Sequence, residues 1–115
     1  MEHPIVYINE IDVAELATLM ETNGDNVQLV DVRQPQEITG GAIPGITNIP
    51  MVSLPMRAQE LSDDKQVILI CRSGARSGQC TAWLMQNGKN NVHNLRGGMI
   101  AWAGSGLQMD LPQTA

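Results

Sequence analysis

Phenylalanine is absent from this 115-residue chain, and two Trp with one Tyr bring the aromatic share to only 3%. A core must therefore rest on Ile, Val, Leu, Met and Ala; the 43% hydrophobic and 17% charged content is that of an ordinary globular protein, not a disordered one. Basic residues are also scarce, with seven Lys and Arg against twelve Asp and Glu and a formal net charge of −5. Binding a phosphate backbone needs clustered cations, so nucleic acid is not an expected partner. No apolar run approaches the roughly 20 residues needed to cross a bilayer, so no membrane is expected either. The amino terminus, Met1-Glu2-His3-Pro4, lacks a basic region followed by an apolar core, which predicts a cytoplasmic protein. There are two cysteines, Cys71 and Cys80, and neither belongs to a C-x-x-C motif, so free thiols in a reducing compartment are expected.

At this length the chain is one domain, long enough for folding to hide roughly two-thirds of the surface of the unfolded chain. Its most informative stretch is Cys71-Arg72-Ser73-Gly74-Ala75-Arg76-Ser77, which follows the apolar run Val67-Ile68-Leu69-Ile70. Four such residues after polar Asp63-Asp64-Lys65-Gln66 suit a strand buried on both faces, as in a parallel sheet. Cys71 then stands at the strand's carboxyl end, where ligands of open α/β sheets bind against the next helix's amino terminus. A cysteine is nucleophilic as the thiolate, which cations and helix N–H groups stabilise. Arg72 and Arg76 supply the cations, and Ser73, Gly74 and Ala75 are small enough for their N–H groups to curl around one centre. Gly74 can take a positive φ if that curl needs one. The segment reads as a cysteine cradle for an anion, and a local positive cradle in an acidic protein can still attract a small one.

This loop, its strand and several flanking segments resemble the single-domain rhodaneses, the thiosulfate sulfurtransferase family. In that family a six-residue loop, Cys-X4-Arg, holds the catalytic cysteine, and Cys71 with Arg76 has that spacing; related phosphatases carry Cys-X5-Arg. The resemblance runs from about Tyr7 to Leu111. It includes Asp31-Val32-Arg33 with Glu37, Gly41-Ala42-Ile43-Pro44-Gly45, Asn48-Ile49-Pro50, and Leu95-Arg96-Gly97-Gly98-Met99-Ile100-Ala101-Trp102. Ala42 departs from the family, which often has His there.

The resemblance implies a three-layer α/β domain, 1–115 with a core of about 7–111, around a parallel sheet of about five strands. It also implies sulfane-sulfur transfer by a Cys71 persulfide, from thiosulfate or another small anionic donor to cyanide, a thiol or a protein acceptor. Arg72, Ser73, Gly74, Ala75 and Arg76 would bind the donor, with no metal or organic cofactor. Two other readings stay open: a non-catalytic sulfur relay or sensor, and a cysteine phosphatase or arsenate reductase, against which the loop count speaks.

Along the chain, Tyr7-Ile8 reads as a short first strand, followed by a helix capped by Asp12 and Glu15 in the D-x-x-E form and ended by Asn23-Gly24. Val27 to Val30 is the second strand, which places Asp31 on the same rim as Cys71. Asp31, Arg33 and Glu37 read as an ion-pair and turn network rather than as catalysts, with Arg33 cancelling a carboxylate that would otherwise oppose the thiolate. Ile46 to Ile49 is the third strand, and Ser53 is expected to cap a helix through Leu61 that carries Arg57 towards the rim. Ser77 is expected to cap the helix after the loop, with Cys80, Trp83 and Leu84 on one buried face and Cys80 as packing rather than a resolving thiol. Asn91 to Leu95 is the last strand, with His93 as a polar strand residue rather than a base. Gly97-Gly98 turns into a final helix whose Trp102 packs on the sheet, and the methionines are read as packing residues.

Overall fold

Val67, Ile68, Leu69 and Ile70 are fully buried in strand β4, Gln66–Ile70. Neighbouring strands cover both edges of β4, and helices cover both faces, so a near-continuous apolar run is what the position requires. The other strands are β1 Glu10–Ile11, β2 Val27–Asp31, β3 Thr47–Asn48 and β5 Val92–Leu95. In the computed structural model, which describes residues 7–111, they form one sheet in the order β1-β5-β4-β2-β3, every neighbouring pair parallel. The helices are α1 Val13–Asn23, α2 Pro35–Ile38, α3 Leu54–Arg57, α4 Ala75–Gln86 and α5 Gly98–Gly104.

Alternation along the strands divides the core into two layers. Val30, Val67, Leu69 and Val92 face Leu54 of α3 and Cys80 and Leu84 of α4. Leu29, Ile68, Ile70 and Leu95 face Leu16 of α1 and Met99 and Trp102 of α5. The result is the expected three-layer α/β arrangement with a five-stranded parallel sheet. Because the strands are parallel, Asp31, Asn48, Cys71 and the Gly97-Gly98 turn gather at one rim.

Local signals explain most boundaries. Asp12 caps α1 through a reciprocal box: its carboxylate accepts from the Glu15 N–H at 2.8 Å, and the Glu15 carboxylate accepts from the Asp12 N–H at 3.1 Å. At the end of α4, Gly88 takes φ 88°, and the Lys89 and Gly88 N–H groups close on the Leu84 and Met85 carbonyls at 3.0 Å each.

Five expectations need correction. The first strand is not Tyr7-Ile8 but Glu10–Ile11: the Asn9 side chain is turned onto the Asn90 and Val92 carbonyls, and backbone bonding to β5 starts with the Asn94 N–H donating to the Asn9 carbonyl at 2.9 Å. Ser53 does not cap a helix reaching Leu61. It already has helical backbone at the end of a 3-10 turn, Met51–Ser53, and the segment breaks into α3 and a second 3-10 turn, Ala58–Glu60. Ser77 is no cap either, since Gly74 at φ 98° starts α4 and Ser77 lies inside it. Trp83 is 39% exposed, because the buried stripe of α4 follows Ser77, Cys80, Thr81 and Leu84 and leaves Trp83 at its edge. Met56 is exposed rather than packed, whereas Met20, Met51, Met85, Met99 and Met109 do line the core. Met1-Glu2-His3-Pro4 lies outside the described residues, and no helix among those described is long and apolar enough to cross a membrane.

Candidate active site

Cys71 follows β4 directly, and the loop that begins there wraps the amino terminus of α4. Two elements hold the loop's backbone. The first residues of α5 bind it from outside, with the Met99 and Ile100 N–H groups donating to the Cys71 and Arg72 carbonyls at 2.9 and 3.0 Å. From within, the Gly74 N–H donates to Cys71 Sγ at 3.1 Å, and the Ser77 hydroxyl lies 3.2 Å from the same sulfur.

These donors set the electrostatics. Burial works against the thiolate at Cys71, but the Ser77 hydroxyl, when its one proton turns to the sulfur, and the N–H groups of Ser77, Gly74 and Ser73 outweigh it, leaving the thiol below its ordinary pKa. Hydrogen bonds, more than the two arginines, lower it. Cys80 contrasts with this: burial, and then the charge on Cys71, push its thiol up to about 11. Both cysteines are free. One sits among hydrogen-bond donors and the other on an apolar helix face.

The position of Gly74 demands its φ of 98°. A Cβ there would adopt a disfavoured left-handed backbone and lie 3.2 Å from Gly97 N and 3.3 Å from the Leu95 carbonyl. Gly74→Ala is therefore expected to lose about 1–2 kcal/mol of stability in urea unfolding. It should also slow alkylation of Cys71, because the Gly74 N–H would be displaced from the sulfur.

The two arginines of the loop differ. Arg72 is exposed and forms no ion pair among the described residues; with Arg33, Gly41, Met99 and Ile100 it lines a groove of about 420 Å³ beside the loop. Arg76 makes a two-pronged pair with Glu37 of α2, both contacts at 2.8 Å. The Glu37 carboxylate thus pairs with Arg76, while its carbonyl stays in the expected network with Asp31 and Arg33 by accepting from Arg33 Nη1 at 3.3 Å. Asp31 is fully buried and bonded by Arg33 through Nη2 at 2.7 Å, Nε at 3.0 Å and the backbone N–H at 3.0 Å. Arg33 also reaches the Gly41 carbonyl at 2.9 Å. Arg57 pairs with Glu60 on an exposed surface, 2.6 Å away.

Arg76 holds the Glu37 carboxyl at about 2 against the ordinary 4.5, overcoming the opposing effect of burial. A carboxylate depressed in the folded state adds stability above its unfolded pKa and loses it as pH falls through the folded value. The wild type should therefore melt higher than Glu37→Gln at pH 7, with the gap closing between pH 4.5 and about 2. Parallel thermal scans of the two proteins would check this.

His93 and Asn94 are neighbours on β5 that point to opposite faces. His93 shares its parity with Leu95, on the α1 and α5 side, so it does not approach Cys71 as a base. Asn94 has the parity of Val92, faces α4, and is only 3% exposed. The Ser77 hydroxyl donates to Asn94 Oδ1 at 2.5 Å, and Asn94 Nδ2 donates to Glu10 Oε2 at 3.0 Å. Neither Glu10 nor Asn94 was expected at the site, and Ser77, the last residue of the cradle segment, was expected there only as a helix cap. The available signal was the polar Asn94 at a core-facing position of an apolar strand. Among the described residues no cluster of metal-ligating side chains is present.

The sequence profile of the rhodanese-like domain matches residues 12–105. The chain belongs to the rhodanese-like family. A sulfurtransferase of Allochromatium vinosum is 47% identical over 106 residues, covering 92% of this chain and 98% of that protein. A putative sulfurtransferase of Bacillus subtilis, YtwF, is 38% identical over 97 residues, covering 84% of this chain and 92% of its own length. A crystal structure of a rhodanese-related protein from Thermoplasma volcanium superposes with a TM-score of 0.81 at 30% identity, over 90% of this chain and 99% of that one. The loop Cys71–Arg76 lies within the matched residues, with Ser77 and Asn94 behind it.

Proposed function

We propose that this rhodanese-like chain is a sulfurtransferase that carries sulfane sulfur on Cys71. The observation that carries the reading is the Cys71 sulfur itself, placed at a helix amino terminus with the Gly74 N–H at 3.1 Å and the Ser77 hydroxyl at 3.2 Å. Such a sulfur is a ready nucleophile and a good leaving group in turn. The sulfurtransferases among its relatives support the same activity.

In the first half-reaction the Cys71 thiolate attacks the outer sulfur of thiosulfate. A sulfur–sulfur bond forms at Cys71, the one in thiosulfate breaks, and sulfite leaves with its electron pair. In the second, a thiolate or cyanide attacks the outer sulfur of the persulfide, and Cys71 departs as the thiolate. Neither step needs a redox cofactor. Exposed Arg72 receives the anionic donor, Arg76 orients it from a guanidinium held in place by Glu37, and the Ser73, Gly74 and Ala75 backbone curls around the transferred sulfur.

Intact mass before and after thiosulfate tests the proposal. A gain of one sulfur, about 32 Da, reversed by cyanide, is the expected result of a covalent sulfur carrier. No gain would overturn thiosulfate as donor. Loading from a protein persulfide would then identify a relay module, and hydrolysis of an aryl phosphate a phosphatase. The loop length, Cys-X4-Arg, argues against the phosphatase.

A further inference from the structure

We infer that Glu10 and Asn94 act as positioning residues that decide where the Ser77 hydroxyl points its proton, and so how readily Cys71 becomes a thiolate. The inference rests on Cys71 being the reacting group of the proposed function. It concerns three residues joined from β1, β5 and α4 by hydrogen bonds at 3.0, 2.5 and 3.2 Å that end on the sulfur. Ser77 is fully buried and Asn94 is 3% exposed, so water does not substitute for either partner.

Donor and acceptor counting gives the logic. A carboxylate only accepts, so Glu10 draws Asn94 Nδ2 towards itself and turns Oδ1 towards Ser77. Oδ1 also only accepts, and Ser77 has a single hydroxyl proton. In the thiol form every group is satisfied: Cys71 S–H donates to Ser77 Oγ, and Ser77 donates to Asn94. Once the thiol proton has left to solvent, sulfur and Oδ1 compete for the Ser77 proton. Turning it to the sulfur strands a buried carbonyl; leaving it in place aims an oxygen lone pair at the thiolate. The persulfide escapes this conflict, because its charge sits on the outer sulfur and Ser77 can stay bonded to Asn94. The arrangement thus favours the sulfur-loaded loop over the empty thiolate.

Other charges near the sulfur are Arg72 and Arg76 of its own loop, Glu37 on α2, and Asp31 with Arg33 after β2; Cys80 of α4 packs on the same face, and Arg96 lies 3.7 Å from Glu10. Glu10→Gln leaves those groups in place and removes the constraint, because a glutamine amide accepts either orientation of Asn94. The turned Asn94 then donates to Ser77 Oγ, and the Ser77 proton is free for the sulfur.

The test is iodoacetamide alkylation of Cys71, followed by mass, which needs no sulfur donor and so is independent of whether thiosulfate is used. At pH 6, Glu10→Gln is expected to react about fivefold faster than the wild type, as one typical hydrogen bond gained by the sulfur would give. Removing a nearby negative charge could also speed alkylation directly, so two controls separate the causes. In a Ser77→Ala background, Glu10→Gln should have no effect, and with Ser77 intact its gain should persist in about 1 M salt, where surface charges are screened. An equal gain in the Ser77→Ala background, loss of the gain in salt, or no gain at all would overturn the inference.

Discussion

Replacing Cys71 by serine is expected to abolish sulfur loading altogether, while thermal melting stays close to that of the wild type. The loss is complete because a serine hydroxyl in the same cradle remains protonated at neutral pH, and no other thiol can take over. Cys80 is the only other candidate; its thiol is pushed up to about 11 and it packs among Met51, Leu54 and Trp83 of the α3 and α4 layer. The fold should survive because serine is slightly smaller, and the Gly74 N–H and Ser77 hydroxyl that face the sulfur can bond to its oxygen. Intact mass after thiosulfate should show no added sulfur in Cys71→Ser and an unchanged gain in Cys80→Ala. Loading of Cys71→Ser would remove Cys71 from the reaction.

Arg33→Met should produce the largest loss of stability of any substitution at the rim, about 3–5 kcal/mol, because it leaves Asp31 as an unpaired charge at a fully buried position. For a domain of this size that is a fall in melting temperature on the order of 10–20 °C. The same guanidinium also ties the Gly41 carbonyl and the Glu37 carbonyl to the end of β2, so the turn that presents Glu37 to Arg76 loosens as well. The double variant Asp31→Asn/Arg33→Met should recover much of the loss, since the buried charge has gone. Calorimetric melting of the three proteins would show it, and a single variant within 2–3 °C of the wild type would mean that water reaches Asp31, a change too small for a stranded buried charge.

The two variants probe different parts of one design. Asp31 and Arg33 stiffen the neighbouring strand end, Glu37 extends that support to Arg76, and the loop so held offers its N–H groups to the sulfur. Asn48 adds to the frame, with its side-chain amide donating to the Asp31 and Arg33 carbonyls at 2.9 Å each. The surroundings of Cys71 thus draw on residues from every strand of the sheet: Glu10, Asp31, Asn48, Cys71 itself at the end of β4, and Asn94.

Much of this was legible in the chain because it is encoded locally. The apolar run from Val67 to Ile70 specifies a strand buried on both faces, Asp12 with Glu15 specifies a helix start, and Gly74 permits the one backbone angle that the cradle requires. Those signals lie within a few residues of what they determine, and they place Cys71 at a strand's carboxyl end. The pairings that make the site were not legible, because each depends on which strands become neighbours. Glu37 meets Arg76 across 39 positions of sequence, and Asn94 meets Glu10 across 84. The start of the first strand departs from its local pattern for a related reason: the Asn9 side chain finds its partners in the Asn90 and Val92 carbonyls, 81 and 83 positions away. The sequence by itself determined that a cysteine would stand in a ring of N–H groups at the rim of a parallel sheet. Only the tertiary structure decided which carboxylate clamps Arg76 and which amide holds the Ser77 hydroxyl, because both choices follow from strand order and facing, which no local pattern carries.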